Sequence, residues 1–160
     1  MSGEITNCIY IPRSVTDETL ANPATIGKRL LEPLKSLSGN VINILEDVAV
    51  DNECEVHRHE ADLWICLEGE VKFEVGGELI EPRAKELKTG GIDTRELKSR
   101  PRNIRGATMY TLRQGDILYI PAGVPHAHRA AGTARLFIVK VPQREIPLDE
   151  IPGWNSATLS

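Results

Sequence analysis

The sequence predicts an all-β fold, either a sandwich or a small barrel, and three observations support this. Short segments rich in valine, isoleucine and aromatic residues recur along residues 41–142, which is the pattern of strands. Glycine-containing turns separate several of them, at Gly76-Gly77, Gln114-Gly115-Asp116 and Ala131-Gly132-Thr133. Regular spacing without interleaved helices is typical of sandwiches and barrels rather than of alternating strand–helix folds.

The composition is that of a single globular domain. The chain has 160 residues, 41% of them hydrophobic and 26% charged, and no apolar run approaches the roughly 20 residues that span a bilayer. The first residues are acidic and have no long apolar core, which argues against a secretory signal. Three widely spaced cysteines do not make a disulfide framework, so we expect reduced thiols in a cytoplasmic protein that is not embedded in a membrane.

The strand pattern divides the chain into three parts. Residues 1–38 are expected to form an N-terminal arm, with one short helix over Ala24–Leu37 that Pro33 interrupts. Residues 39–142 are the predicted barrel, and residues 143–160 are expected to be an extended C-terminal tail. Within the barrel, the predicted strands lie in VINILEDVAV, CEVHRH, LWICLEGEVKFEV, ELIE, ATMYTLRQGDILYIPAG and ARLFIVKVP.

A basic segment interrupts this pattern at residues 82–106, which carry eight basic and three acidic side chains in a protein of net charge −4. One interpretation is a solvated, partly mobile insertion. The other is a lid or rim that attracts an anionic substrate. Binding to nucleic acid is not expected, because the segment contains no aromatic residue on which a base could stack.

The four histidines form two H-x-H pairs, each beside a predicted strand: His57 with His59, and His126 with His128. Residues i and i+2 of a strand point to the same face, so the members of each pair are expected to face one side together. If the two strands face each other inside a barrel, three or four imidazoles converge. This arrangement favours a metal site over four unrelated structural histidines.

The two histidine segments together resemble the cupin family. The first motif of that family is an H-x-H pair, a short gap, a glutamate, six residues and a glycine. Here His57-Arg58-His59 is the pair, and Asp62 stands seven residues before Gly69. The second motif, a glycine, five residues, P-x-G, two residues and a histidine, is matched in full by GDILYIPAGVPH, residues 115–126. The resemblance covers roughly residues 41–141.

The resemblance implies a double-stranded β-helix (jelly-roll) cupin barrel, with an N-terminal arm and an extended tail outside it. It also implies one divalent transition-metal ion per chain, with iron, manganese, nickel, zinc and copper not distinguished, and a homodimer. The implied ligands are His57, His59, Asp62 and His126. In the second motif, Pro121 and Gly123 are expected to turn the chain so that the histidine begins an inward-facing strand.

The first motif departs from the family pattern at its carboxylate. Asp62 replaces the glutamate, its gap after His59 is only two residues, and its side chain reaches about 1.5 Å less far. Either the shorter loop brings the strand inward, or Asp62 does not touch the ion. His128 is an additional candidate ligand, and Glu60, which is longer, is a second substitute on the wrong face of a straight strand.

Four more residues are expected to line the pocket: Trp64, Cys66, Met109 and Tyr119. Cys54, close to the first histidine pair, is a further candidate beside the metal, although free cysteines are more often small buried hydrophobes.

The resemblance leaves several functions open. One is a metal-dependent enzyme acting on a small oxygenated, possibly anionic organic substrate, either a mononuclear non-haem dioxygenase or a Lewis-acid isomerase or decarboxylase. Another is a non-enzymatic module that binds a small ligand or a metal, because fold does not fix function. A structural zinc site ranks last, because such sites usually include cysteine pairs.

Overall fold

The computed structural model describes residues 7–32, 34 and 41–154. These residues include one α-helix, α1, at Arg13–Ala21, and a short 3-10 helix at Leu148–Glu150. Their twelve strands, in chain order, are β1 Gly27–Leu30, β2 Ile42–Asp51, β3 Cys54–His57, β4 Glu60–Glu68, β5 Glu70–Val75, β6 Glu78–Leu79, β7 Arg83–Glu86, β8 Ile92–Ser99, β9 Ile104–Arg105, β10 Thr108–Arg113, β11 Ile117–Ile120 and β12 His126–Pro142.

The longest strand, β12, joins the sheets of the barrel. Its first residues pair with β3 and β5, and its later residues pair with β2 on one edge and β4 on the other. From there the antiparallel order continues through β3, β8 and β7, through β5 and β10, through β4 and β11, and through β2 and β1. This antiparallel arrangement confirms the predicted all-β jelly-roll barrel.

Two apolar clusters form the core. The larger one lies between β4, β5 and the second half of β12, and it contains Trp64, Phe73 and Leu136. Gly69, the glycine of the first motif, connects β4 to β5 at φ +77°, where a Cβ would lie 2.0 Å from the Thr133 carbonyl oxygen. Only glycine permits this close approach without a backbone shift, which is the physical reason for a glycine at this position of the motif.

The smaller cluster includes Cys54 and Val56 of β3, Leu97 of β8 and Ile151, with Leu148 packed against it. The described part of the tail, residues 143–154, therefore packs against the barrel through this cluster. Gly123 has φ +81° and β12 begins at His126, as the turn chemistry of the second motif predicts.

The arm differs from its prediction. The helix occurs at Arg13–Ala21, whereas residues 27–30, within the predicted helix over Ala24–Leu37, form strand β1. The helical spacing of leucines there was misleading, because all four residues of β1 pair with β2 in antiparallel orientation. This pairing with a neighbouring strand outweighs the local helical pattern. The other residues of that predicted helix include several, among them Pro33, that lie outside the described residues.

The basic segment 82–106 contributes strands to both sheets of the structure, which the sequence did not predict. It forms β7, β8 and β9, and β8 pairs with β3 from Cys54↔Ser99 to His57↔Glu96. Its many charged residues hid the strand pattern. These strands are stabilised by pairing with neighbouring strands and not by an alternation of apolar and polar side chains. The helices among the described residues lack the length and the apolar composition that a membrane span requires.

Candidate metal centre

Four side chains from three strands converge inside the barrel, and we refer to them as the donor cluster: Glu55 and His57 of β3, Asp62 of β4 and His126 of β12. Glu55 and His57 are two residues apart on a regular strand and therefore share its inner face. His126 is the direct cross-strand partner of Glu55, so the sheet register itself brings these two side chains together.

The distances within the cluster fit a single first-row metal ion. His57 Nε2 lies 3.4 Å from Asp62 Oδ2 and 3.6 Å from Glu55 Oε1. His126 Nε2 lies 3.5 Å from that Asp62 oxygen and 3.6 Å from the same Glu55 oxygen. Ligands about 2.1 Å from an ion at tetrahedral angles are roughly 3.4 Å apart, which is close to this spacing.

Two of these atoms are buried without a hydrogen-bond partner among the described residues, Asp62 Oδ2 and His126 Nε2. Their residues are each 1% exposed. At 3.5 Å from each other the two atoms are too far apart for a good hydrogen bond, and an ion bound between them would satisfy both. The donor set, two imidazoles and two carboxylates, suits a divalent transition metal, so the residues present fit the implied ion.

The other ring nitrogen of each histidine is also held. His57 Nδ1 lies 2.8 Å from Glu96 Oε2, its cross-strand partner on β8, and His126 Nδ1 lies 3.0 Å from the Val124 carbonyl oxygen. Both partners accept hydrogen bonds, which favours the neutral tautomer with the proton on Nδ1. In that tautomer the Nε2 lone pair of each ring faces the cluster, where it could ligate a metal, and that of His57 also lies 3.2 Å from Lys140 Nζ. Such contacts orient the ligands of protein metal sites.

A lysine lies beside the cluster. Lys140 Nζ donates to Asp62 Oδ1 at 2.6 Å and lies 3.2 Å from His57 Nε2. Asp62 therefore has one oxygen on the ammonium and turns the other toward the histidines. This geometry answers the question raised by its short side chain: the carboxylate reaches the cluster through Oδ2.

Charge contacts set the protonation of the cluster. Burial opposes the imidazolium of His57, but contacts with Asp62, Glu55 and Glu96 outweigh it and raise its pKa well above the usual value. The pKa of His126 is likewise raised, against burial, by Asp62 and Glu55. Burial favours the neutral carboxyl of Asp62, yet the two histidines lower its pKa. The metal-free cluster thus favours charged histidines facing charged carboxylates.

Two predicted ligands lie elsewhere. The structure does not bring His59 into the donor cluster: β3 ends at His57, residues 58–59 form a bend, and His59 Nε2 lies 3.5 Å from Glu60 Oε2. His128 Nε2 lies 3.2 Å from Asp47 Oδ2, and its ring stacks on Phe73 with centroids 5.2 Å apart. His57, Asp62 and His126 do come together, as predicted.

Glu55 is not among the ligands that the sequence predicts, although the sequence contains a signal for it. Strand alternation places both His59 and Glu55 on the same face as His57, one in each direction along the chain. The backward direction holds because Cys54–His57 is the regular strand and the chain bends immediately after it. A carboxylate two residues before the histidine was therefore the better candidate.

The cluster opens into a cleft of about 520 Å³, lined by Lys28, Lys85, Arg95 and Glu96 among others. The segment 82–106 supplies both basic and acidic residues to this wall: Lys85, Arg95 and Lys98 together with Asp93 and Glu96. Of the predicted pocket residues, Trp64 lines an adjoining inner pocket and Cys66 is buried in the core.

Met109 and Tyr119 are 44% and 48% exposed and line neither the cleft nor the inner pocket among the described residues. Tyr119 is paired with Leu63, whereas its neighbour Ile120 is paired with Asp62 on the inner face. Cys54 belongs to the smaller apolar cluster, and burial raises the pKa of its thiol to about 11, so it is a neutral hydrophobe there.

No protein-family model matches the sequence, and comparison with curated proteins finds no relative. Solved structures are similar at low identity. The protein BH2720 of Bacillus halodurans superimposes with a TM-score of 0.52 at 16% identity, over 91% of this chain and 89% of its own. This degree of similarity supports a shared fold.

Two further structures have lower scores. A cupin-2 domain containing protein of Shewanella frigidimarina has a TM-score of 0.46 at 16% identity, over 80% of this chain and 91% of its own. The CENP-C cupin domain of Drosophila melanogaster has a TM-score of 0.44 at 10% identity, over 63% of this chain. The match spans 56% of that protein's length, little more than half.

Proposed function

We propose that this chain, which has the fold of the cupin superfamily, binds one divalent transition-metal ion in its donor cluster and is an enzyme that depends on the ion. The observation that carries the proposal is the convergence of four donor atoms at the end of an open cleft, two of them buried without a hydrogen-bond partner among the described residues. A closed structural site would not need such access.

The chain's own residues have distinct tasks in this proposal. The donor cluster holds the ion, Glu96 and the Val124 carbonyl keep the histidine rings oriented, and Lys140 fixes Asp62 so that a single oxygen faces inward. When bound, the ion would supply Lewis acidity or, if redox-active, oxygen chemistry to a small oxygenated substrate. The cleft would admit that substrate, and basic side chains in its wall, such as Lys28 and Lys85, would orient it.

Two reaction classes fit this arrangement: oxygenation, and isomerisation or decarboxylation of a polarised carbonyl compound. Imidazole nitrogens suit iron, copper and zinc, while carboxylates shift the preference toward manganese. Oxygen uptake separates the classes. Consumption with catechols, diketones or hydroxy acids by the iron-loaded protein would place the enzyme among the oxygenases, and turnover without oxygen would place it among the Lewis-acid enzymes.

The first experiment measures metal per chain by elemental analysis after reconstitution with ferrous iron, manganese or zinc. We expect about one ion in the wild-type protein and a large loss in His57→Ala. His59→Ala is the matched control, because it removes an imidazole of the same motif outside the cluster. Wild-type protein that retains no ion, or a His57→Ala variant with unchanged content and an intact circular dichroism spectrum, would overturn the proposal.

A second candidate function has one observation in its favour. The Lys140 ammonium already lies against Asp62 and His57, so the cluster carries a cation of its own. That contact is compatible with a non-enzymatic barrel that binds a small ligand without metal. A well-folded native preparation without metal, which still binds small organic ligands, would favour this function over the enzyme.

A further inference from the structure

A second cavity, the inner pocket, lies next to the metal-binding cleft and has a volume of about 240 Å³. Lys28, Glu55 and Lys98 belong to the walls of both. Because Glu55 is also a member of the donor cluster, the inner pocket adjoins the proposed metal position. Ligand pockets usually measure roughly 300–1,000 Å³, so this one fits a small molecule.

The wall of the inner pocket is largely apolar on its barrel side. Leu45, Trp64 and Ile138 line it, and Trp64 and Ile138 are direct cross-strand partners on β4 and β12. Phe73 packs behind the indole with ring centroids 5.2 Å apart, so the wall is held in place. A molecule in this pocket would gain from burying an apolar body there.

Two polar atoms of residues in this wall, Trp64 Nε1 and His128 Nε2, lack a hydrogen-bond partner among the described residues, and the His128 nitrogen faces Asp47 Oδ2 at 3.2 Å. Trp64 is 1% exposed, and its Nε1 is buried without a hydrogen-bond partner among the described residues. An indole N–H donates and never accepts. Since an unmade buried hydrogen bond costs about 1–3 kcal/mol, a ligand that brings an acceptor to this atom is favoured over one that does not.

The shared wall also supplies a cation. Lys98 and Lys140 already contact carboxylates, Glu53 at 3.5 Å and Asp62 at 2.6 Å. Lys28, an exposed side chain of β1, has neither a hydrogen bond nor an ion pair with any residue that the structure describes. Its ammonium is therefore available to an anion that enters the cleft.

We propose that the ligand of this site is a small organic carboxylate with an apolar body and a second, carbonyl-type oxygen. The carboxylate lies between Lys28 and the donor cluster, the body lies against Leu45 and Ile138, and the second oxygen accepts a hydrogen bond from Trp64 Nε1. This inference rests on the proposed function, because the metal ion completes the positive environment of the carboxylate.

Three small probes separate these contributions. In 4-oxopentanoate both the carboxylate and the ketone oxygen are present, pentanoate lacks the ketone, and 2-pentanone lacks the carboxylate. Binding to zinc-loaded, ¹⁵N-labelled protein is followed by NMR of the indole N–H signals. The chain has two tryptophans, Trp64 and Trp154, so the second signal is an internal control. We expect 4-oxopentanoate to shift the Trp64 signal and leave that of Trp154 in place.

We expect pentanoate to bind about fivefold and 2-pentanone about tenfold more weakly than 4-oxopentanoate, as loss of a neutral and of a charged hydrogen bond predicts. Lys28→Gln should remove the tenfold preference for the carboxylate, whereas Lys88→Gln, on the exposed β7–β8 turn, should not. Trp64→Phe, if folded, should remove the fivefold preference for the ketone.

An unshifted Trp64 signal at saturating 4-oxopentanoate, or a carboxylate preference that survives Lys28→Gln, would overturn the inference. Metal analysis of the same samples distinguishes failure of this inference from failure of the proposed function. If the protein takes up no ion, the proposed function fails, and the same titration of metal-free protein then tests the ligand inference alone. A Trp64 shift that Lys28→Gln weakens would support the inference, and the absence of a shift would overturn it.

Discussion

Lys140 donates from Nζ to Asp62 Oδ1 at 2.6 Å, and the two residues are direct cross-strand partners on β12 and β4. The lysine side chain is 12% exposed and the aspartate side chain 0%. Burial opposes the ammonium, but Asp62 and Glu55 outweigh this and raise the pKa of Lys140. Asp62 thus lies between a resident cation and the position of the proposed ion.

Replacing this lysine should separate the metal-free from the metal-bound state. Lys140→Met keeps the length of the side chain and removes its charge, leaving a buried carboxylate without its partner. We expect the free energy of unfolding of the metal-free variant to fall by about 3 kcal/mol. An added divalent ion should restore most of this, so the rise of Tm on metal addition should be larger in the variant than in the wild type.

Calorimetry with and without zinc measures both effects. Lys72→Met, an exposed residue of β5, is the control for loss of a surface lysine. An equal metal-induced rise of Tm in wild type and Lys140→Met would contradict the view that the ammonium and the ion share the charge of Asp62.

The residues show which parts of this centre the sequence could predict. His57 and His126 follow from the motifs and from the period of a strand, and Pro121 and Gly123 correctly predicted where β12 begins. His59 shares the H-x-H pattern, but the strand ends at His57 and the chain bends at residues 58–59, so strand alternation does not apply to His59. Strand alternation is local, whereas the end of a strand depends on its neighbours.

Contacts supplied by distant segments were beyond the sequence reasoning. Glu96 reaches His57 only because β8 pairs with β3 across 39 residues of chain. Lys140 reaches Asp62 through a register between β12 and β4 that no local pattern specifies. Charged side chains are usually solvated, so nothing local marks either residue as part of a buried site.

Glu55 should be as important for metal binding as the histidines. Glu55→Gln keeps the size of the side chain and removes the anionic oxygen that lies 3.6 Å from both Nε2 atoms. We expect metal affinity, measured by competition with a chelator, to fall about 100-fold. Glu53→Gln is the matched control, because Glu53 pairs with Arg83 and Lys98 outside the cluster. A similar loss in both variants would indicate a general effect of charge rather than ligation.

Glu96 should tune the site without being essential to it. Its Oε2 holds His57 Nδ1, so Glu96→Gln removes the charge that orients the ring. Changes to such outer contacts typically cost 10–100-fold in metal affinity, and we expect about tenfold with one ion still bound at saturation. Asp93→Asn, which breaks the Arg95 contact on the same strand, serves as control. Complete loss of metal in Glu96→Gln would instead mean that this carboxylate ligates the ion.

The stability of the metal-free protein should have a maximum in mildly acidic solution. The lowered pKa values of Glu55 and Asp62 stabilise the fold above about pH 4, and this contribution is lost as the pH falls further. The raised pKa values of His57 and His126 stabilise it fully below about pH 6.5, and this contribution is lost as the pH rises through the folded-state values.

A bound ion should reverse the alkaline decline, because imidazole must be neutral to ligate and metal binding therefore strengthens as protons leave. Thermal unfolding from pH 4 to 9, with chelator and with zinc, should give two curves that separate increasingly above pH 6.5. His126→Gln removes one of the two titrating rings and should flatten the decline of the metal-free curve. If the stability of the metal-free protein instead rises steadily to pH 8, the histidines are neutral in the folded protein. The carboxylates would then not keep the two imidazole rings protonated.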